Sequence, residues 1–104
     1  LEAEVIDNTA RHRFELHEAG QTSFVLYSKT ENSVRLIHTE VPPALQGKGV
    51  GSRLVRGVLR LAEQEKLTVI PVCPFVVEYL KRHPEHLGLV DPESMRMIQS
   101  GDES

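Results

Sequence analysis

Apolar and polar residues alternate through most of the first forty positions, and beyond position fifty apolar residues recur every third or fourth position. The change of period predicts strands followed by a helix. Val34, Leu36, His38 and Glu40 alternate with Arg35, Ile37, Thr39 and Val41, so strict alternation puts His38 on the same face as Leu36 and Glu40. The same reading predicts strands over Ala3–Asn8, Arg13–His17, Thr22–Lys29 and Ser33–Val41. Asn8-Thr9-Ala10, Glu18-Ala19-Gly20-Gln21 and Thr30-Glu31-Asn32 are short polar connections, of the length that joins antiparallel neighbours into a meander.

Leu54, Val55, Val58, Leu59, Leu61 and Ala62 then follow helical spacing, giving a helix from Ser52, or Gly51 just before it, to about Lys66. Thr68–Val72 is a short apolar strand in which Pro71 marks a bulge or an edge. A helix between two strands is a crossover, so this fifth strand is expected parallel to the fourth. Pro74–Arg82 predicts a second helix stopped at His83-Pro84, and Leu87–Val90 a last extended piece. Asp91–Ser104 reads as a polar tail with little to bury. The expected class is α+β, a mixed α/β sheet, with residues 1–91 forming one domain and 92–104 a flexible tail.

Composition narrows this picture. A chain of 104 residues with 39% hydrophobic content can build one core and not two. Net charge is −3 with a pI near 5.9, and Lys and Arg are scattered, so a nucleic-acid footprint has no compositional support. No apolar run approaches membrane-spanning length. Cys73 has no second cysteine to pair with. Together these predict a soluble cytoplasmic protein. The chain starts at Leu1, and its first two residues are set aside from fold arguments.

The most chemically informative stretch is Val41-Pro42-Pro43-Ala44-Leu45-Gln46-Gly47-Lys48-Gly49-Val50-Gly51-Ser52, a glycine-rich turn between the fourth strand and the first helix. Glycines let the backbone approach a ligand closely, and a helix N-terminus offers unpaired N–H donors and positive dipole potential. A diphosphate suits that cradle. A Walker A loop needs Lys and then Ser or Thr after its last glycine, whereas Ser52 and Arg53 follow Gly51. A dinucleotide fingerprint needs a third glycine where Ser52 stands.

Gln46-x-x-Gly49-x-Gly51 after a strand ending in Val41-Pro42 resembles the acyl-CoA pyrophosphate loop of the GNAT acetyltransferase superfamily. The likeness runs from His38-Thr39-Glu40-Val41-Pro42 through Cys73-Pro74-Phe75 to Tyr79, and is closest to minimal single-domain members. It implies an N-acyltransferase that takes acetyl from acetyl-CoA to a primary amine, on a small molecule or a protein lysine. No metal, nucleic acid or membrane partner is implied, and the expected state is a monomer or weak homodimer. The alternative is a module of the same fold that binds or senses acyl-CoA without turnover.

The resemblance assigns Gln46, Gly47, Lys48, Gly49, Val50, Gly51, Ser52 and Arg53 to the diphosphate end of coenzyme A. Thr39, Glu40, Val41 and Cys73 are assigned to its pantetheine arm, which fills a wedge between the fourth and fifth strands. For chemistry it points to His38 as base, because imidazole exchanges protons near neutrality, with Glu40 as the fallback. Cys73 precedes a helix start, where amide donors and the dipole favour thiolate; it receives the acetyl group, lines the thioester pocket, or is a small buried hydrophobe, the commonest fate of a lone free cysteine. With His38 and Cys73 on neighbouring strands, a base–thiol pair is geometrically possible. Tyr79 falls near a tyrosine that protonates the departing thiolate in many relatives, although Pro74 and Phe75 stand where those relatives often carry asparagine. His12, His17, His83 and His86 lack the paired spacing of a metal site.

Overall fold

The computed structural model describes residues 4–100, the Ser100 side chain excepted. Four antiparallel strands come first: β1 (Val5–Asn8), β2 (Arg13–Glu18), β3 (Gln21–Lys29) and β4 (Ser33–Glu40). Helix α1 (Val50–Gln64) crosses over to β5 (Thr68–Pro71), which pairs parallel to β4 at the sheet edge in the order β1-β2-β3-β4-β5. Helix α2 (Pro74–Arg82), a 3-10 segment over Pro84–Leu89 and helix α3 (Pro92–Ser100) complete the described chain. The mixed sheet, the parallel fifth strand and the edge position of Pro71 agree with the sequence.

Differences lie mostly at element ends. Ala3 lies outside the described residues, and α1 starts at Val50 and ends at Gln64. Leu87–Val90 is not extended as expected: Pro84 opens a 3-10 helix that turns Leu87 and Leu89 against the core, and only Val90 bridges Val69. The expected polar tail is a helix over residues 92–100, while residues 101–104 lie outside the described ones. Its physical basis is local. The Asp91 carboxylate accepts the Ser94 amide and the Asp91 carbonyl accepts the Met95 amide, while Pro92 is pre-set for a first helical position. Ile98 is buried and Met95 packs on the core, so two apolar residues one turn apart anchor an otherwise polar helix.

One sheet face carries Phe14, Leu16, Val25, Tyr27, Val34, Leu36 and Val69, all buried. Against it α1 buries Val50, Leu54, Val55, Val58, Leu59 and Ala62, and α2 buries Val76, Tyr79 and Leu80, in one continuous cluster. Fully burying such a Val or Leu is worth roughly 1.5–3 kcal/mol, so the six α1 positions clamp the crossover onto the sheet. Gly57 permits the contact with β1, because a Cβ there would stand 2.4 Å from Val5 Cγ2. Asp7 accepts from Tyr27 Oη and from Lys29 Nζ at 2.6 Å, and Lys29 also reaches Glu65 at 3.1 Å, tying β1, β3 and the end of α1 together.

The opposite face is polar, with Ile6, Ile37 and Val72 about half exposed. Glu15 is nonetheless buried there. It accepts from Asn8 Nδ2 at 3.0 Å and Arg13 Nε at 2.5 Å, and lies 2.9 Å from His17 Nε2, while Arg13 stacks on Phe24. Burial pushes the Glu15 carboxyl up, but the hydrogen bonds from Arg13, His17 and Asn8 outweigh it and hold it below its ordinary value. A lowered folded value means that the stabilisation is present above the ordinary value of 4.5 and disappears as pH falls through the folded one. Thermal melts from pH 7 to pH 3 are therefore expected to lose stability below about 4.5, and Glu15→Gln to start lower and show a shallower acid slope.

Candidate functional site

The parallel pairing of β4 with β5 runs from Ser33↔Thr68 to Leu36↔Pro71 and stops. Pro71 has no N–H to donate, and the next two amides, Val72 at 3.0 Å and Cys73 at 2.9 Å, both turn onto the Leu36 carbonyl. From that shared acceptor the chain leaves the sheet and enters α2 at Pro74. Among the described residues β5 supplies no ladder partner to β4 beyond Leu36, so Ile37–Glu40 flanks a gap. Across it Cys73 Sγ donates to Thr39 Oγ1 at 3.4 Å. Cys73 is 4% exposed and stands at the N-cap of α2.

Strict alternation fails in β4. Leu26 of β3 pairs with His38 but the next residue, Tyr27, pairs with Leu36, leaving Ile37 as the extra residue of a β-bulge. A one-residue insertion exchanges faces for everything after it. Thr39, not His38, therefore turns toward the helices and Cys73, while His38 and Glu40 lie on the open face, 3.3 Å apart and with side chains 55% and 61% exposed. The expectation that His38 shares a face with Leu36 is corrected by the bulge, and His38 and Cys73 do not form a base–thiol pair.

Beyond β4, a 3-10 turn over Pro43–Leu45 anchors the loop by burying Leu45, and Gln46 Nε2 closes it by donating to the Val41 carbonyl at 2.9 Å. Gly47 and Gly49 have φ of +78° and +77°, the left-handed region glycine enters without strain, and a Cβ on either would meet nothing within 4 Å. Gly49 is the N-cap of α1, and its carbonyl accepts the Arg53 amide at 3.1 Å. Among the described residues the amides of Gly47, Lys48, Gly49, Val50, Gly51 and Ser52 have no backbone acceptor. Six donors at the positive end of a 15-residue helix suit an anion.

The GCN5-related N-acetyl-transferase family model matches residues 13–89, from the first residue of β2 to the end of the last 3-10 segment. The chain belongs to this family. Curated relatives are more distant: Protein NATD1 of Gallus gallus is 36% identical over 59 residues, covering 52% of this chain and 54% of that protein. Protein NATD1 of Xenopus tropicalis is 32% identical over 54 residues, covering 52% and 50%, and that of Mus musculus 35% over 51 residues, covering 49% and 46%. The chain spans about half the length of the curated relatives it matches.

Within this acetyltransferase domain the remaining candidates are spread out. Arg53 donates to Glu18 from both terminal nitrogens, at 2.8 and 3.2 Å, which holds the Glu18 carboxyl below its ordinary value and ties the first turn of α1 to β2. Its guanidinium and its amide are thus both engaged. Lys48 is exposed. Gly51 serves packing as well as backbone shape, since a Cβ there would lie 2.5 Å from Phe75 Cζ. Tyr79 is 2% exposed, lies in the same buried cluster as Cys73 and stacks on His83 with ring centroids 4.2 Å apart. Burial raises its phenol above the ordinary value. Among the described residues no group of three His, Cys, Asp or Glu side chains is placed to hold a metal.

Sequence reasoning missed the Thr39–Cys73 contact and the Gly51–Phe75 approach. The adjacent apolar pair Leu36-Ile37 was the available signal for the bulge, because it breaks the alternation. If the loop cradles the diphosphate of acetyl-CoA, Gly49→Val is expected to abolish its binding by calorimetry, by forcing a β-branched residue into the left-handed region and filling the open space beside the amides, at roughly 1–2 kcal/mol in stability. Unchanged affinity with an intact circular dichroism spectrum would exclude the loop as the anion cradle. Gly51→Ala should lower the melting temperature by pushing on the Phe75 ring, and Phe75→Ala added to it should restore part of the loss.

Proposed function

We propose that this domain is an acyl-CoA-dependent N-acyltransferase that moves an acetyl group from acetyl-CoA to a primary amine, carried by a small molecule or a protein lysine. The observation that carries this reading is the run of amides from Gly47 to Ser52 that have no backbone acceptor among the described residues, after the end of β4 and beside the gap that β5 leaves open. The residues fit the ligand: donors for a diphosphate, then an unpaired strand edge from Ile37 to Glu40 for the amides of the pantetheine arm. Thr39, Glu40 and Val41 offer the backbone of that edge, and Gln46 keeps the loop closed beside it.

Bound acetyl-CoA supplies the activated thioester; the protein supplies position and proton transfer. Holding amine and thioester together removes much of the barrier. His38 takes the proton that the acceptor nitrogen must lose, from the open sheet face, with Glu40 at 3.3 Å orienting the ring. Cys73 and Thr39 line the opposite side of the gap, where the buried thiol packs without facing the base. That separation favours direct transfer, the amine entering from the His38 side, over an acetyl-cysteine intermediate. Burial raises the Tyr79 phenol above its ordinary value and so makes it a weaker proton donor, and its ring is packed on His83, which leaves the departing sulfur to take its proton from another donor or from solvent.

Release of free thiol from acetyl-CoA over a panel of amines tests the reading. His38→Ala is expected to lower kcat on the order of 10²-fold near neutral pH. Cys73→Ala should stay within a few fold, with no acetyl adduct on wild-type Cys73 by mass spectrometry. A stable Cys73 adduct that passes to amine would replace direct transfer by a two-step route. Thermal stabilisation by acetyl-CoA without thiol release would instead indicate a binding module.

A further inference from the structure

Away from the gap, the outer face of α1 builds a second feature. Arg53, Arg56 and Arg60 recur at helical spacing with Gln64 one turn further, along one wall of a groove of about 410 Å³. Val5 of β1 and Leu61 are the apolar side chains that line it, and Gly57 lets β1 approach the helix there. Among the described residues Glu4 is the one carboxylate lining it.

The charges are unevenly compensated. Arg53 is held by Glu18, whereas Arg56 and Arg60 are exposed and, among the described residues, make no hydrogen bond or ion pair. In a chain of net charge −3, two uncompensated guanidiniums beside a third on one groove wall form a local basic surface. Guanidinium forks match carboxylates in a bidentate geometry.

We infer that this groove is a docking site for an extended acidic peptide segment of a partner protein. From Arg53 to Gln64 the wall is about 16 Å long at 1.5 Å per residue, which spans about five residues of extended chain. Carboxylates on alternate residues of such a chain repeat about every 7 Å, a spacing that arginines three and four positions apart can follow. The residues between them can pack on Val5 and Leu61, the apolar side chains of the lining. A single phosphate would use one end of so long a wall, and an RNA backbone needs a broader basic surface than this acidic chain offers.

Fluorescence polarisation with a labelled eight-residue peptide of alternating Asp and Val tests the assignment. Salt-sensitive binding is expected, about tenfold weaker in Arg56→Gln/Arg60→Gln and largely retained in Arg56→Lys/Arg60→Lys. Calorimetric affinity for acetyl-CoA should be the same in all three proteins, which separates this site from the loop and leaves either assignment able to fail alone. No binding of the acidic peptide up to millimolar concentration would overturn the inference, as would equal binding by the glutamine variant. Tighter binding of a labelled oligouridylate, or displacement of the peptide by low-millimolar inorganic phosphate, would assign the groove to another class of anion and overturn it equally.

Discussion

The Leu36 carbonyl accepts two amides, Val72 and Cys73, at the point where β5 stops pairing with β4. Most of the candidate site depends on that arrangement. Proline at the end of β5 cannot extend the ladder, the following two residues close onto one oxygen, and the chain turns into α2. The β4 edge beyond Leu36 keeps its hydrogen-bonding capacity instead of spending it on a neighbouring strand. Unpaired backbone groups need a partner, and an amide-bearing ligand laid along that edge can provide one.

The bulge at Ile37 acts at the same level of the sheet. By shifting the register one residue it sends Thr39 toward Cys73 and His38 with Glu40 to the open face. Inserted at this height, it separates the candidate proton acceptor from the buried thiol and places the gap between them. Bulges bend and twist the strand that carries them, which helps β4 diverge from β5. The acetyl-transfer reading thus draws its geometry from a ladder that ends and a register that slips, with no specialised side-chain cluster required.

Rigid anchoring supports both features. Leu45 buries the loop, Gln46 ties it to Val41, and the Arg53–Glu18 pair fixes the first turn of α1 to β2. The amides of Gly47 to Ser52 are therefore held in place, which under the proposed function leaves little ordering cost for binding an anion. The arginines further along α1 follow another logic. Among the described residues Arg56 and Arg60 have no ion-pair partner on the outer surface, whereas Arg53, one turn nearer the loop, is tied to the fold through Glu18.

Much of this was legible in the amino-acid order, because the signals are local. Period-two and helical patterns located the strands, α1 and α2, the crossover required a parallel β5, and the glycine-rich loop with its flanking segments carried the resemblance to the family. What the order left open was decided by contacts between distant residues. Alternation cannot show where a strand gains an unpaired residue, since that depends on the register with β3, and so it put His38 on the wrong face. Nor does the sequence show that Gly51 and Gly57 yield space to Phe75 and Val5. The last helix escaped notice because Met95 and Ile98 look incidental in a polar segment until a core lies beneath them. Local periodicity determined the elements and their order, and tertiary packing decided the faces, because burial and register are properties of pairs of segments.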